Sequence, residues 1–493
     1  MNIKTDDFKQ KVLKAFLWLG TGTFIGQLIA WCSTIIVIRL LEPADYGLMA
    51  MAGTIIALLT ILSELGVGAA VIQAKTLSNI QIKQLFGLII VLCVIGLLST
   101  ILLAPYIALF FNEPKLTLLI KVLSVNFLMI ALFTIPMSLL VRNMNFKSKA
   151  KVDISAQVGG SVVTLIMAFN GMGVWSLIGG LISIHVVKVV GYNIAVKEFT
   201  LPSFRLNESI KLAKYGFVMA GNRILFYVFT QADKIIGGKI LGDVFLGFYT
   251  VALTLASIPA EKILPIVTQI TFASYSRIQD EQHRINRNIL KTIRVMALFG
   301  FPLFFGMTAV APEAIPILLG DKWFPAIIPF QLLCLIMPLK SLSFIFPPAV
   351  FAIDKAKVIL VNMVIASVVM VIAFSVGAQW GLIGLSLAWA IVYPIVFTIT
   401  TLRSLNALQL PFRKVLNEIS FPVISSIVML VCLYTIRYYY SEIGKIELLI
   451  LSIIAGVVIY SALIYFFRKE MYIQLFLEIF KKNPNNKNTE TND

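Results

Sequence analysis

The chain has 493 residues, 59% of them apolar and only 13% charged, with a formal net charge of +17. Soluble domains carry about a quarter of their residues as charges, so this composition excludes a string of soluble domains even though the length would hold several. The basic residues sit in short connections between apolar runs, which points to membrane topology and not to nucleic acid.

Lys4, Lys9, Lys11 and Lys14 precede an apolar stretch at 15–38. It is longer than a signal-peptide core of about 7–15 residues and reads as a retained first span. Apolar runs long enough to cross a hydrocarbon core of about 30 Å follow at 47–72, 85–111, 116–140, 152–170 and 174–194. Six more fall at 215–238, 244–270, 295–319, 326–351, 358–377 and 381–402, and a last pair at 420–437 and 447–467. Pro136, Pro259, Pro265 and Pro394 lie inside these runs, where neighbouring helices can satisfy the freed backbone groups. The expected fold is an all-α polytopic membrane protein of about 14 transmembrane helices. Its expected domains are a bundle of six at 1–200, a second at 201–405, an additional pair at 406–467, and a polar tail at 468–493.

Of the 41 Lys and Arg residues, 29 fall in alternate connections and the tails, and six (Arg39, Lys115, Lys239, Lys322, Arg437, Lys445) in the opposite connections. The positive-inside rule then predicts both termini in the cytoplasm. The outer connections are too short for a soluble domain, and the long inner one at 271–294 reads as a helical extension at the membrane surface. Trp175, Trp323 and Trp380, near predicted span ends, read as interfacial anchors. Cys32, Cys93, Cys334 and Cys432 lie in apolar runs without paired spacing, so they read as small buried side chains. With His185 and His283 the only histidines, no metal centre, catalytic constellation or cofactor is expected.

An internal echo runs at an offset near 200 residues. Arg39-Leu-Leu-Glu-Pro-Ala-Asp-Tyr-Gly47 parallels Lys239-Ile-Leu-Gly-Asp-Val-Phe-Leu-Gly247, and Trp175-Ser-Leu-Ile-Gly179 parallels Trp380-Gly-Leu-Ile-Gly384. Both fall at corresponding spans, which favours two pseudo-symmetric six-helix bundles with a substrate between them.

Ionisable groups inside a bilayer cost about 2.5–3.5 kcal/mol each on insertion scales and need a reason. In the seventh span, Arg223 and Lys234 are eleven residues apart, about three turns. Tyr227 and Gln231 lie between them near the same face, giving a polar stripe with a cation at each end, and the planar fork of Arg suits phosphate. The structural alternative is that Lys234 snorkels to the interface and Arg223 pairs with a carboxylate. Lys340, midway along the tenth span, is the matching cation of the second half, with a structural ion pair as its alternative. Asp233 reads as half of a bundle-locking salt bridge, with a proton or sodium site second. Glu64 and Glu261, at similar depths in spans two and eight, are candidates for gating or ion coupling, or for offsetting nearby basic loops. Lys121, Lys188 and Lys262, near span ends, snorkel.

At these same residues the chain resembles polysaccharide exporters of the colanic-acid, teichuronic-acid and O-antigen type, within the multidrug, oligosaccharidyl-lipid and polysaccharide superfamily. The resemblance is carried by Leu40-Leu41-Glu-Pro-Ala-Asp-Tyr-Gly47, by Ser63-Glu-Leu-Gly-Val-Gly-Ala-Ala-Val-Ile-Gln73, and by Gln231-Ala-Asp-Lys-Ile-Ile-Gly237. Leu241-Gly, Leu246-Gly-Phe-Tyr249 and Phe272-Ala-Ser-Tyr-Ser-Arg-Ile-Gln-Asp280 extend it, so that it covers most of residues 10–400. Lys234 departs from the family pattern, which places an uncharged polar residue there. The resemblance implies a V-shaped pair of bundles working by alternating access on an undecaprenyl-pyrophosphate-linked oligosaccharide. It implies membrane lipids and glycan polymerase or export machinery as partners, and a monomer. Two readings compete: a cation-coupled multidrug exporter of the same superfamily, and a membrane-embedded glycan-processing enzyme. Six basic side chains within spans against three buried acids (Glu64, Asp233, Glu261) favour an anionic substrate over a cationic drug. The lack of a large outer loop or a catalytic constellation disfavours the enzyme.

Overall fold

A computed structural model describes the backbone of residues 31–64, 67–74, 76–196, 201–205, 207, 210–277, 281–440 and 442–480. Side chains at 62–64, 69, 73, 210–223, 262–277 and 469–480 are outside that description. Among the described residues all regular structure is helical, and eleven helical stretches are long and apolar enough to cross a membrane. The chain forms two units. One comprises Met1–Thr254, Leu318–Pro329 and Leu360–Val396; the other comprises Leu255–Ile317, Phe330–Ile359 and Phe397–Asp493.

In the first unit, α1 (Trp31–Leu40) leads through a tight corner into α2 (Pro43–Glu64), followed by α3 (Val67–Gln73). Proline at the first position of α2 needs no N–H partner there. Helix α4 (Asn79–Phe111) starts from a capping box in which Ser78 and Gln81 bond reciprocally, and it stops at Asn112 in the left-handed conformation. The run predicted at 116–140 is one span, Lys115–Arg142, made of α5 (Lys115–Leu123) and α6 (Asn126–Arg142), which meet at Ser124 and Val125, both still in the right-handed helical conformation. Helices α7 (Phe146–Phe169) and α8 (Val174–Val196) pack through small residues. A β-carbon on Gly160 would strike Ile184, and one on Gly180 would strike Thr164 and the Gly160 carbonyl. Such small-residue contacts let membrane helices approach closely where hydrophobic exclusion supplies no drive.

Helix α9 (Ile210–Arg277) is broken at Gly242, whose φ of 80° and ψ of −175° suit glycine alone. Its two limbs fold back on each other. The Tyr249 hydroxyl bonds Asp233, 16 residues earlier, at 2.6 Å, whereas on one straight helix they would stand roughly 24 Å apart. Helix α10 (Gln282–Leu319) carries Pro302, Pro312 and Pro316, and a 3₁₀ turn at Asp321–Ala326 precedes α11 (Ile327–Ser343) and α12 (Phe346–Ala352). Helix α13 (Ala356–Gly377) meets α14 (Gly381–Leu387) at Gly381, at φ 72°. A π stretch at Ala388–Val392 then runs into α15 (Tyr393–Ala407). The chain closes with α16 (Phe412–Tyr439) and α17 (Lys445–Phe480), the latter broken at Arg468.

The echo at offset 200 has a packing counterpart in the first unit. A β-carbon on Gly47 would fall on the Asp243 carbonyl, and one on Gly247 would fall on the Pro43 carbonyl. Residues 43 and 243 are equivalent in the echo, as are 47 and 247, so the two corners clasp each other reciprocally about a local pseudo-twofold. Trp323 lies beside this clasp and corrects its assignment as an interfacial anchor. It is fully buried, packs edge-on against Tyr46 and Phe248 with ring centroids 5.8 Å away, and donates its indole N–H to the Ile38 carbonyl at 2.9 Å. Trp380 is 72% exposed, as an anchor would be.

Within the second unit, Arg294 grips Glu418 through two bonds of 2.6 and 2.7 Å, and Arg437 reaches the buried Glu313 at 3.0 Å. The Tyr460 hydroxyl ties α17 to the Leu298 carbonyl of α10 at 2.8 Å. Cys93 and Cys334 are buried as expected of small apolar groups, whereas Cys32 is exposed.

Candidate functional site

The first unit holds a cavity of about 500 Å³ lined by α1, α2, α7, α8 and both limbs of α9. Its wall is mixed, with apolar side chains such as Val37, Met49, Leu177, Leu181 and Ile184 beside polar ones. Ser33, Thr34, Thr54, Gln157, Ser161, Thr164 and Gln231 supply hydroxyls and amides, Lys234 supplies one ammonium, and no Asp or Glu lines it among the described residues. Such a wall offers donors and acceptors to a polyhydroxylated group and one positive charge to an anion. It offers no counter-charge to a cation.

Several features of α9 aim its side chains at this space. Asp233 is fully buried, and its carboxylate accepts from the Tyr249 hydroxyl at 2.6 Å and the Trp389 indole at 3.3 Å, while the indole also donates to Tyr249 at 2.8 Å. This cluster stitches both limbs of α9 to the π stretch after α14, where Phe374 and Tyr393 pack on the Trp389 ring. With Asp233 and Tyr249 pinned together, the residues that follow each of them, Lys234 and Thr250, both reach the cavity. Lys234 is half-buried and its ammonium donates to Gln231 at 3.0 Å, one turn earlier on the same helix. Buried carboxylates are stable where neighbouring donors satisfy their oxygens. Among the described residues Asp233 meets that condition with the Tyr249 hydroxyl, the Trp389 indole and the Lys234 backbone N–H, and not with the cation expected for a salt bridge.

The small residues of α2 leave the cavity its width. A β-carbon on Gly53 would meet nothing within 4 Å, and Ala50 and Ala57 flank it along the same wall. Gly53 has neither the close packing nor the positive φ that explains most other glycines here.

Of the residues singled out in the sequence, Gln231 and Lys234 share this cavity. Tyr227 does not line it; the tyrosine is buried beneath the wall, donating its hydroxyl to the Thr54 carbonyl. Asp233 lies behind the wall as described. Lys340 is half-buried on α11 in the second unit, where it is partnered. Glu261 is exposed in the second unit and accepts from Ser257 at 2.8 Å. The side chains of Arg223 and Glu64 lie outside the described residues. Gln157, Ser161, Thr164 and Thr250 were not legible as site residues, because hydroxyls and a lone amide inside apolar runs look like ordinary helix interior. A second cavity, of about 390 Å³, lies in the second unit between α10, α16 and α17, with a lining that is almost wholly apolar (Leu303, Met307, Met429, Leu433 and Val457 among others).

A family model described as a polysaccharide biosynthesis protein matches residues 36–328. The lipopolysaccharide biosynthesis protein WzxC of Escherichia coli strain K12 is 25% identical over 388 residues, 78% of this chain and 79% of that protein. The succinoglycan biosynthesis transport protein ExoT of Rhizobium meliloti strain 1021 is 24% identical over 447 residues, 90% of each. Among solved structures, the lipid II flippase MurJ in an inward closed conformation is similar in fold, with a TM-score of 0.75. At 14% identity, that match covers 92% of this chain and 100% of that one. Since the family match spans more than half of its length, this chain belongs to the polysaccharide biosynthesis protein family.

Proposed function

We propose that the protein is a flippase that carries a lipid-linked saccharide, of the undecaprenyl-pyrophosphate type, across a bacterial cytoplasmic membrane by alternating access. The observation that carries this reading is the cavity wall of the first unit: hydroxyls, amides and a single ammonium set among apolar side chains, with no carboxylate among the described residues. Sugar hydroxyls and a pyrophosphate need those groups, whereas a cationic drug would need acids, so the wall speaks against the multidrug reading. Its place in the polysaccharide biosynthesis family agrees.

In this reading the fourteen spans form two six-helix bundles and a closing pair, with both termini in the cytoplasm. Gln231 and Lys234 contact the headgroup, together with Arg223 from the same helix; Lys340 serves from the second half, and Tyr227 supports the wall from behind. Asp233 holds the α9 limbs in register, while Glu64 and Glu261 stand near the inner ends as gating or coupling groups. Protein groups replace water around the pyrophosphate, so bare charge never enters hydrocarbon, while the prenyl chain stays in lipid. Two packings of similar energy with different affinity for the load suffice for movement. No covalent step and no cofactor is involved. Membrane lipids surround a monomer that delivers its load to glycan polymerase or export machinery.

Deletion of the gene in its source bacterium tests this. Loss of surface glycan, accumulation of the lipid-linked precursor on the inner leaflet, and reversal of both by the wild-type gene are expected. Normal surface glycan in the deletion strain, with no other flippase present, would overturn the assignment.

A further inference from the structure

We infer that the Gln157 side-chain amide is a specificity-determining group that hydrogen-bonds the saccharide part of the load and not its phosphates; this rests on the function proposed above. Gln157 stands midway along α7 (Phe146–Phe169), roughly 17 Å from either end. A glutamine at that depth cannot reach the headgroups, and its amide is costly there unless a partner satisfies it. Inside membranes the usual partner is a neighbouring helix, which such a side chain then holds in place. Gln157 is not used that way. It is exposed, it lines the cavity, and its amide makes no hydrogen bond among the described residues. The contact between α7 and α8 runs instead through Gly160 and Gly180.

The rest of the wall shows what is left for this amide to do. The Lys234 ammonium donates to the Gln231 carbonyl oxygen at 3.0 Å, so what these two side chains of α9 still offer a load is N–H donors. The hydroxyls of Thr54 and Thr164 spend their hydrogens on the Met51 and Gly160 carbonyls at 2.8 and 2.9 Å. Donors suit a phosphate, whose ionised oxygens only accept. A sugar differs, because each of its hydroxyls also has a hydrogen to give. The Gln157 amide supplies a carbonyl acceptor beside two N–H donors on the α7 side of the same cavity. It can therefore take a hydrogen from one sugar hydroxyl and return one to a neighbouring oxygen. A load without that sugar leaves the amide unpaired, and sites built in this way discriminate strongly.

The test uses purified full-length protein in lipid nanodiscs, with binding followed by ligand-dependent thermal stabilisation. The probes are the lipid-linked saccharide extracted from the source bacterium and undecaprenyl pyrophosphate without sugar. Both are presented at about pH 8, above the second ionisation of a phosphate monoester. Gln157→Met removes the amide at nearly constant length and volume. It is expected to unfold at or above the wild-type temperature without ligand, to bind the saccharide about tenfold more weakly, and to bind undecaprenyl pyrophosphate like wild type. Lys234→Gln is expected to weaken both. Undiminished saccharide binding by Gln157→Met would overturn the inference. So would an equal loss for both probes in that variant, which would place the amide on the phosphates, or a lower unfolding temperature without ligand, which would make it a packing group. Binding of neither probe by wild type would instead overturn the flippase reading, and the role of Gln157 with it.

Discussion

Gly53 shows how a single residue sets what the cavity can hold. A glycine inside a helix costs about 1 kcal/mol relative to alanine, yet nothing packs against this one and a β-carbon there would point into open space. Stability and transport are therefore expected to move in opposite directions on substitution. Gly53→Ala should raise stability by about 1 kcal/mol with transport retained. Gly53→Leu should raise or keep the unfolding temperature while export falls at least tenfold, because the side chain fills the space a sugar would occupy. Thermal unfolding and surface-glycan yield measured on the same variants check both. A second residue-scale prediction concerns Asp233. Asp233→Leu strands the buried Tyr249 hydroxyl proton, while the Trp389 indole keeps its bond to Tyr249, at about 1–3 kcal/mol of stability, whereas Asp233→Asn keeps an acceptor for the hydroxyl and should lose less. Equal unfolding temperatures for the two variants would contradict the hydrogen-bonding role given to the carboxylate.

At the scale of elements, the reciprocal clasp of the two corners makes its own prediction. Gly47→Val and Gly247→Val both drive a side chain into a backbone carbonyl of the opposite corner. Each should destabilise by about 1–3 kcal/mol, and because each opens the same interface the double variant should cost less than the two together. Trp323→Ala beside the clasp should cost about 3–5 kcal/mol as a buried indole is lost. If Trp323 faced lipid instead, its loss would scarcely change the unfolding temperature. The elements themselves were largely legible, since runs of about 20 apolar residues with short basic connections leave few alternatives. The breaks within them were less so. Ser124 and Val125 carry no helix-breaking signal, and the π stretch at Ala388–Val392 arises from tertiary contacts that periodicity does not encode. Trp323 was misread for the same reason. A tryptophan in a short connection looks like an anchor, and its partners Tyr46 and Phe248 come from distant parts of the chain.

At the scale of the whole molecule, the excess of Lys and Arg in alternate connections makes orientation a testable expectation. In a cysteine-free background, Lys115→Cys should react with a membrane-impermeant maleimide in intact cells, while Lys357→Cys should react after permeabilisation alone. Both positions are exposed, so an unlabelled cysteine reports sidedness and not burial. The candidate site was half legible at this scale. Gln231 and Lys234 stood out because polar and charged groups are rare inside spans. Gln157, Ser161, Thr164 and Thr250 became part of the site only when folding brought α7, α8 and the second limb of α9 around one cavity. Asp233 was noticed for its charge, but its partners lie 16 and 156 residues away and no local pattern announces them.

The most direct test of the central claim is a sidedness assay in proteoliposomes. The lipid-linked saccharide of the source bacterium, labelled on its sugar with a dithionite-sensitive fluorophore, is reconstituted with the purified protein and the outer leaflet is bleached. The account predicts that wild-type vesicles lose nearly all fluorescence as inner-leaflet molecules cross, while protein-free vesicles stop near half. Lys234→Gln should slow that second phase about tenfold or more. Bleaching that stops near half with well-folded wild-type protein would contradict the flippase assignment, as would equally fast passage of a labelled phospholipid that carries no saccharide.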